Sequence, residues 1–463
     1  MNKSKRADLS SARRKPLAAC CAVLFALATP EAFATTWTVT DCSDASAPDP
    51  LVVGSLREVV LNHAASGDTV DLSQLSCSIV SVVEAIPIAQ HSLTLQGPPR
   101  HIVIRPQYAD SRIFAHSGTG TLSLFDLDIK QAQYYGNSAS SNPKGGCVYS
   151  AGNVLLEHSN VSYCSAGCRY SNAQPGISGL GGAIYTKGNL IAKYSLLTRN
   201  MVCGTTAAGG GAYAAGDFSA SYTTISLNSA GNDGGIAAAA SATINNPTIS
   251  GNLATGANGG LGVGVGFSPN STLVMKNSTI SGNFSPRNAG LYSRVPSMLY
   301  SSTIAFNQNT HSAGNSAGAT FSPFFGSMTV GLYATLISNN TIANNSLITS
   351  NDIAVAPSGT ATVTFTGAGD LIRAPDPSVP MSSFQSSYSG VCPLLGPLRN
   401  SGGLTMTHAL GSGSVAIDNG GGSLQYDQRG AGYPRKSGAF IDIGAYEVQQ
   451  GEIIFNSGFE GCP

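Results

Sequence analysis

The sequence predicts an all-β solenoid of short stacked strands, a right-handed parallel β-helix with an N-terminal helical cap. Three observations lead there. First, a six-residue phrase recurs: Ser278 to Asn283 reads Ser-Thr-Ile-Ser-Gly-Asn, and close variants end at Asn228, Asn252 and Asn307. Second, its spacing is irregular: the apolar markers Ile129, Val161, Leu197, Ile225, Ile249, Ile280, Ile304 and Ile337 follow one another at 24 to 36 residues. A helical repeat cannot vary its length without rotating its faces, whereas coils of short strands absorb the difference in their loops. Third, a glycine phrase keeps step with the markers: Gly145 to Tyr149, Gly181 to Tyr185, Gly209 to Tyr213, Gly234 to Ala237 and Ala289 to Tyr292. Each coil is expected to run from a Gly-Gly turn through two short strands to the Thr-Ile-Ser strand ending in Asn, with rungs ~4.8 Å apart.

Taken in order, residues 1–34 are expected to be a signal peptide. Lys3, Lys5, Arg6, Arg13, Arg14 and Lys15 form a basic start, Leu17 to Thr29 an apolar run, and Ala32 to Ala34 a small-x-small cleavage site. Residues 35–90 should form the cap and first strands, with Leu56, Val59, Val60 and Leu61 on one helical face covering the first coil. The coils occupy 91–370, a closing module 371–447 and a short tail 448–463, whose Gly451 to Pro463 stretch is expected to be a sorting or secretion element. No segment of the mature chain is long and apolar enough for a transmembrane helix.

Composition narrows the partners. Lys plus Arg and Asp plus Glu number 24 each among 463 residues, so no net field draws nucleic acid or an anionic membrane. Charged residues make up 10% and apolar ones 42%, which is a chain that buries a core. Beyond the signal lie Cys42, Cys77, Cys147, Cys164, Cys168, Cys203, Cys392 and Cys462, an even number that reads as disulfides in an exported chain. Cys42 and Cys77 bracket the cap, Cys168 and Cys203 follow successive markers, Cys147 and Cys164 would then pair, and Cys392 with Cys462 would tie down the tail; connectivity is open at this level.

The repeated phrase is structural. Its Ile points inward and stacks on its neighbours. Three residues later Asn200, Asn228, Asn252, Asn283, Asn307 and Asn340 fall in line as an asparagine ladder.

Here the chain resembles bacterial exported β-helix proteins of the polymorphic outer-membrane-protein-like kind with a choice-of-anchor Q region. Val53 to Ser73, with its Ser-Leu-Arg-Glu helix, resembles the entry segment of that family. The Thr-Ile-Ser-Gly-Asn coils resemble its body, and Leu398 to Glu447 resembles the choice-of-anchor Q module. The resemblance implies an exported protein, secreted or held at the cell surface or outer membrane, with the periplasm as the alternative.

Chemistry is sparse along the coils. A β-helix hydrolase needs two carboxyl groups facing one bond, and a lyase a base, cations and often Ca²⁺ held by acids. Between Gly145 and Gly369 the acids are Glu157, Asp217, Asp233 and Asp352, at unmatched offsets. Glu157, His158 and Lys193 occupy similar places on successive coils and with Arg199 form the weak catalytic candidates. By the same count His311, Arg287 and Arg294 stand isolated. In the closing module Asp418, Asp427, Arg429, Arg435, Asp442 and Glu447 are denser; Arg429 is expected to bond Asp442 or Glu447 where the last coil ends. Asp427 or Asp442 is the place left open for Ca²⁺, at a spacing that matches no Ca²⁺ loop, and no other cofactor is expected. A third pattern, Thr224/Ser226, Thr248/Ser250 and Thr279/Ser281, would face outward as a flat hydroxyl array of the ice-binding sort. The leading expectation is a non-catalytic scaffold for adhesion or surface interaction, with glycans or cell-surface components as partners. The alternative is a polysaccharide lyase or glycoside hydrolase on the same fold. Nothing in the sequence sets an oligomeric state.

Overall fold

A computed structural model describes residues 34–46, 48–136, 142–168, 178–266, 269–311, 316–324, 326–344, 347–356 and 360–452. The expected signal peptide apart from Ala34, most of the tail and Cys462 lie outside them. The chain is a parallel β-helix. Most coils carry four strands, which build four long faces of 13, 11, 9 and 10 strands, numbered 1 to 4 in the order the chain meets them. One coil runs Leu190–Lys193, Leu196–Thr198, Met201–Val202 and Ala212–Ala214 through faces 1 to 4. The sequence led to three strands per coil; the face 3 strand after the Asn is the addition. It is often two residues long, as in Met201–Val202 and Phe284–Ser285, too short to show alternation.

The marker residues stack in register along face 2 as Val80, Ile104, Ile129, Val161, Leu197, Ile225, Ile249, Ile280, Ile304, Ile337 and Ile372. All are fully buried. Burying each such side chain stabilises by ~1.5–3 kcal/mol, so this column is a main source of cohesion. Corners are made by single residues of positive φ. Tyr194 (φ 49°) turns face 1 into face 2, and Arg199 (φ 57°) turns face 2 into face 3 just before Asn200. The Asn that follows supplies the missing hydrogen bonds. Asn252 Nδ2 donates to Asn283 Oδ1 (2.9 Å) and to the Ile225 carbonyl (3.1 Å), while its Oδ1 accepts from Asn228 N and Nδ2 at 3.0 Å each. The same bonds link Asn200 through Asn340, and the column ends on Asp352 Oδ1, 2.8 Å from Asn340 Nδ2.

At the N-terminal end Leu56–Glu58 and the π-helical turn Val59–His63 cover the first coil. Leu56, Val59 and Val60 are buried, but Leu61 is 43% exposed. Positions 56, 59 and 60 share a face by i, i+3, i+4 spacing, and Leu61 lies one residue too far round. Arg57 anchors the cap, with Nε and Nη2 on Asp44 at 2.9 and 2.8 Å and Nη2 on the Glu84 carbonyl at 2.6 Å. Cys42 is bonded to Cys77, Cys147 to Cys164 and Cys168 to Cys203. Cys392 is also disulfide-bonded.

The coils continue past residue 371, since Leu371–Ile372 and Phe384–Gln385 still pair in parallel on faces 2 and 1. From Leu395 the chain turns back and lies across face 2. Gln428 Nε2 donates to Thr248 Oγ1 (3.0 Å), Asn277 Nδ2 to the Tyr426 carbonyl (2.8 Å) and Ala445 N to Thr303 Oγ1 (2.9 Å). This strap overturns the flat hydroxyl array: Thr248 and Thr279 are fully buried and Ser281 is 2% exposed beneath it. The hydroxyls are there to bind the strap. Arg429 meets its expectation in part, since its Nη2 donates to the Glu447 carbonyl and not to the side-chain carboxylate. It pairs with Asp427 (2.8 Å) and Glu452 (3.2 Å) between the rings of Tyr433 and Tyr446. The Asp442 and Glu447 carboxylates instead accept backbone N–H groups of Asp418, Val448 and Asp442. Asp427 is two residues from Arg429, so that ion pair forms locally.

Candidate functional site

The outward row of face 4 is a tyrosine ladder with a gap. Register places Tyr149, Tyr185, Tyr213, Ala237, Gly262, Tyr292 and Thr320 in one line along the helix. The first three rings stack at 5.7 Å between neighbours. Then two rungs carry almost no side chain before Tyr292 resumes. Tyr213 and Tyr292 are three rungs apart, about 14 Å.

The corner feeding this face changes at the same place. The residue of positive φ is Gly145, Gly181 and Gly209 in the early coils, then Asp233 (φ 51°), Asn258 (φ 62°) and Asn288 (φ 55°). Asp and Asn are the side-chain-bearing residues that best tolerate this conformation, so the swap adds polar groups without moving the backbone. They form a short ladder: Asn258 Nδ2 donates to Asp233 Oδ1 (2.9 Å) and Asn288 Nδ2 to Asn258 Oδ1 (3.1 Å). Asn288 is 5% exposed and its Oδ1 has no partner. A Cβ on Gly262 would lie 1.9 Å from Asp233 Oδ1, so the missing side chain is what makes room for the carboxyl group.

The gap is a hollow of about 530 Å³ whose lining includes Tyr213, Asp233, Asn258, Arg287, Tyr292 and Arg294. A second hollow of about 460 Å³ adjoins it through Asn232, Ala257 and Arg287 and reaches His311. Burial pushes the Asp233 carboxyl up to about 7, partly opposed by the Asn258 hydrogen bond and the Arg294 charge. Burial likewise raises the Tyr213 phenol, with the neighbouring Tyr185 and Asp233 adding to it. Arg294 Nε donates to the Tyr292 hydroxyl at 2.8 Å. Arg287 is exposed, and its guanidinium meets no carboxylate among the described residues. The groove therefore combines two guanidinium groups, one histidine, aromatic edges and one buried acid.

By offset alone Arg287, Arg294 and His311 stand isolated; the fold sets Arg287 and Arg294 in one hollow with Asp233, and His311 in the hollow beside it. The loops between marker and face 4 differ in length from coil to coil, so residues at unmatched offsets reach one groove. A signal was nonetheless present. The phrases Asp233 to Ala237 and Asn258 to Gly262 differ from Gly209 to Tyr213 at both their first and last residues.

Of the four earlier candidates, three meet on the other side of the coil. Glu157 and Lys193 are register neighbours on face 1 with an ion pair of 3.5 Å. His158 stacks on Tyr194 (5.0 Å) and Tyr194 on Tyr222 (5.4 Å). Arg199 lies at the next corner, 5.7 Å from the Tyr163 ring. Lys193 is 43% exposed, and an ion pair so placed contributes little.

Two further cavities belong to the strap. One of about 740 Å³ lies between face 1 and Gly420, with Lys276, Tyr300 and Tyr333 in its wall and no acid. The other, about 500 Å³, holds His408. His408 Nδ1 faces the Gly396 carbonyl at 2.7 Å and so carries the proton, and Nε2 accepts from the Ser281 hydroxyl at 2.8 Å. That pair fastens the strap. Among the described residues no group of three or more His, Cys, Asp or Glu is placed to hold a metal ion, and no helix is long and apolar enough to cross a membrane.

No family model matches the chain, and no curated protein matches it. Among solved structures it is similar to pectate lyase Pel9A, at 13% identity and a TM-score of 0.42, over 89% of this chain and 96% of that one. At that distance the likeness transfers neither a residue nor an activity.

Proposed function

We propose that the protein is an exported β-helix, secreted or held at the cell surface, that binds an extended glycan in the groove between Tyr213 and Tyr292 without cleaving it. The gap in the tyrosine row carries this reading. It exposes aromatic edges beside a dense set of amide, guanidinium and hydroxyl groups, the mixture that fixes a polar ring in a shallow site. The disulfides support an oxidising, extracytoplasmic setting. The likeness of Val53 to Ser73 and Leu398 to Glu447 to polymorphic outer-membrane-protein-like chains with a choice-of-anchor Q region supports surface display.

Cleavage is the second reading, and one feature favours it: Asp233 lines the hollow beside Arg294, and burial raises its carboxyl to about 7, the range in which a general base works. Hydrolysis needs a second carboxyl across the bond. Asp233 is the one acid lining either hollow, so an enzyme here would work by elimination. Titration calorimetry against a glycan panel, run beside assays for reducing ends and unsaturated products with and without Ca²⁺, separates the readings. Saturable binding without product is expected. Unsaturated product that disappears in Asp233→Asn would replace the scaffold by a lyase, and no binding to any glycan would end both.

A further inference from the structure

The proposed glycan groove has a charge pattern that selects its ligand. Arg287 and Arg294 stand on one side of the gap, and His311 lies at the end of the adjoining hollow. Asp233 is the sole acid among the lining residues, and it is 3% exposed. Its Oδ1 is taken by Asn258, and Oδ2 accepts no hydrogen bond among the described residues. The Asp233 carboxyl therefore has one oxygen left for a ligand in the gap, while Asn288 Oδ1 is buried without a partner in the wall behind it.

We propose that the groove takes an acidic polysaccharide, a chain of uronate-type sugars whose ring carboxylates are met by Arg287, Arg294 and an O–H from the Asp233 carboxyl. This rests on the glycan-binding reading above and adds the substrate class. Guanidinium groups suit carboxylates because their paired N–H donors match the two oxygens. A neutral carboxylic acid is also a good partner for a carboxylate, and the hydrogen bond between them is charge-assisted. An ionised Asp233 would instead repel the ligand.

Binding is therefore linked to one proton. The groups that face Asp233 are Tyr213 and Tyr292 on face 4, Arg294 beyond Tyr292, and Arg287 on the neighbouring corner, with Asn258 and Asn288 uncharged. Arginines and phenols keep their charge state between pH 6 and 9. His311, further along, is the remaining titratable group and lines the adjoining hollow. Above pH 7, where free Asp233 is ionised, a ligand that must restore one proton loses affinity about tenfold per pH unit.

The test is titration of the mature protein with tetramers of galacturonate, mannuronate and glucuronate, a neutral cellotetraose and a sulfated oligosaccharide lacking uronate, in chelator, from pH 6 to 9. At least one uronate tetramer should bind tenfold or more tighter than the neutral and sulfated probes, and its dissociation constant should rise about tenfold per unit above pH 7. Asp233→Asn keeps a donor but cannot titrate, so its binding should be flat over that range. Arg287→Gln, at an exposed position, should weaken uronate binding about tenfold with an unchanged melting temperature. Neutral or sulfated probes binding as tightly as uronates would overturn the acidic-ligand proposal and leave the glycan reading standing. A slope that persists in Asp233→Asn would remove Asp233 from it. No binding by any probe would take the glycan reading down as well.

Discussion

Two asparagine columns run along this molecule, and they differ in how they end. The column at the corner of faces 2 and 3 is complete. From Asn200 to Asn340 every amide gives and receives, and Asp352 closes it by accepting Asn340 with one oxygen and the Ala374 N–H with the other. The column at the entry to face 4 has three members, begins with an acid and stops at Asn288, whose oxygen is unpaired. The first is wholly internal. The second borders a groove where the tyrosine row is interrupted. A ladder that satisfies itself holds coils together; one that begins with an acid beside a cavity places a titratable group there.

The contrast is breakable by mutation. Asn283→Ala removes two donated and two accepted hydrogen bonds from the middle of the complete column and strands the Asn252 amides. A loss of about 4 kcal/mol is expected in urea unfolding. Asn288→Ala, at the open end of the short column, should cost under ~1 kcal/mol by the same measurement. Equal losses at both positions would erase the distinction.

Acid-base behaviour sharpens it further. Asp233 has its folded value raised from 3.8 to about 7, so the stability it permits is fully present below pH 3.8 and lost as pH rises through 7. Asp352 (about 7), Asp370 (about 8) and Glu447 (about 7) act in the same direction, each chiefly through burial. His408, lowered from 6.5 to about 4 by burial, opposes them only below pH 6.5. The melting temperature should therefore rise by several degrees from pH 8.5 to 6.5. Asp233→Asn should raise it at pH 8.5 and change it least at pH 5. A melting temperature that falls on this acidification would contradict the burial of these carboxylates.

Much of this architecture was legible in the chain. The Thr-Ile-Ser strand reads as inward Ile between outward hydroxyls, and the Asn after it can only be a turn partner, so coils and ladder followed from local chemistry. Face 3 escaped because two residues carry no period. The strap's docking escaped because it depends on which face a distant segment covers, and the outward hydroxyls of Thr248 and Thr279 looked the same bare or covered. The groove escaped for a different reason. It is made by absent side chains at Ala237 and Gly262 and by arginines one coil further on, and a search for catalytic residues does not look for an empty row.

The return of residues 395–447 over face 2 also sets an order in time. Synthesis delivers Asn246 long before the Asp427 and Gln428 carbonyls that its amide grips, so this contact closes over 181 intervening residues and is among the last to form. Solenoids normally fray from their ends, each coil held only by its neighbour. Here the final coil is followed by a buckle fastened at Asn246, Thr248 and Ser281 in the interior of the stack. A protease or a pulling force acting on the C-terminal end meets that buckle before it meets a free coil, and the molecule's durability is set by how slowly the buckle opens.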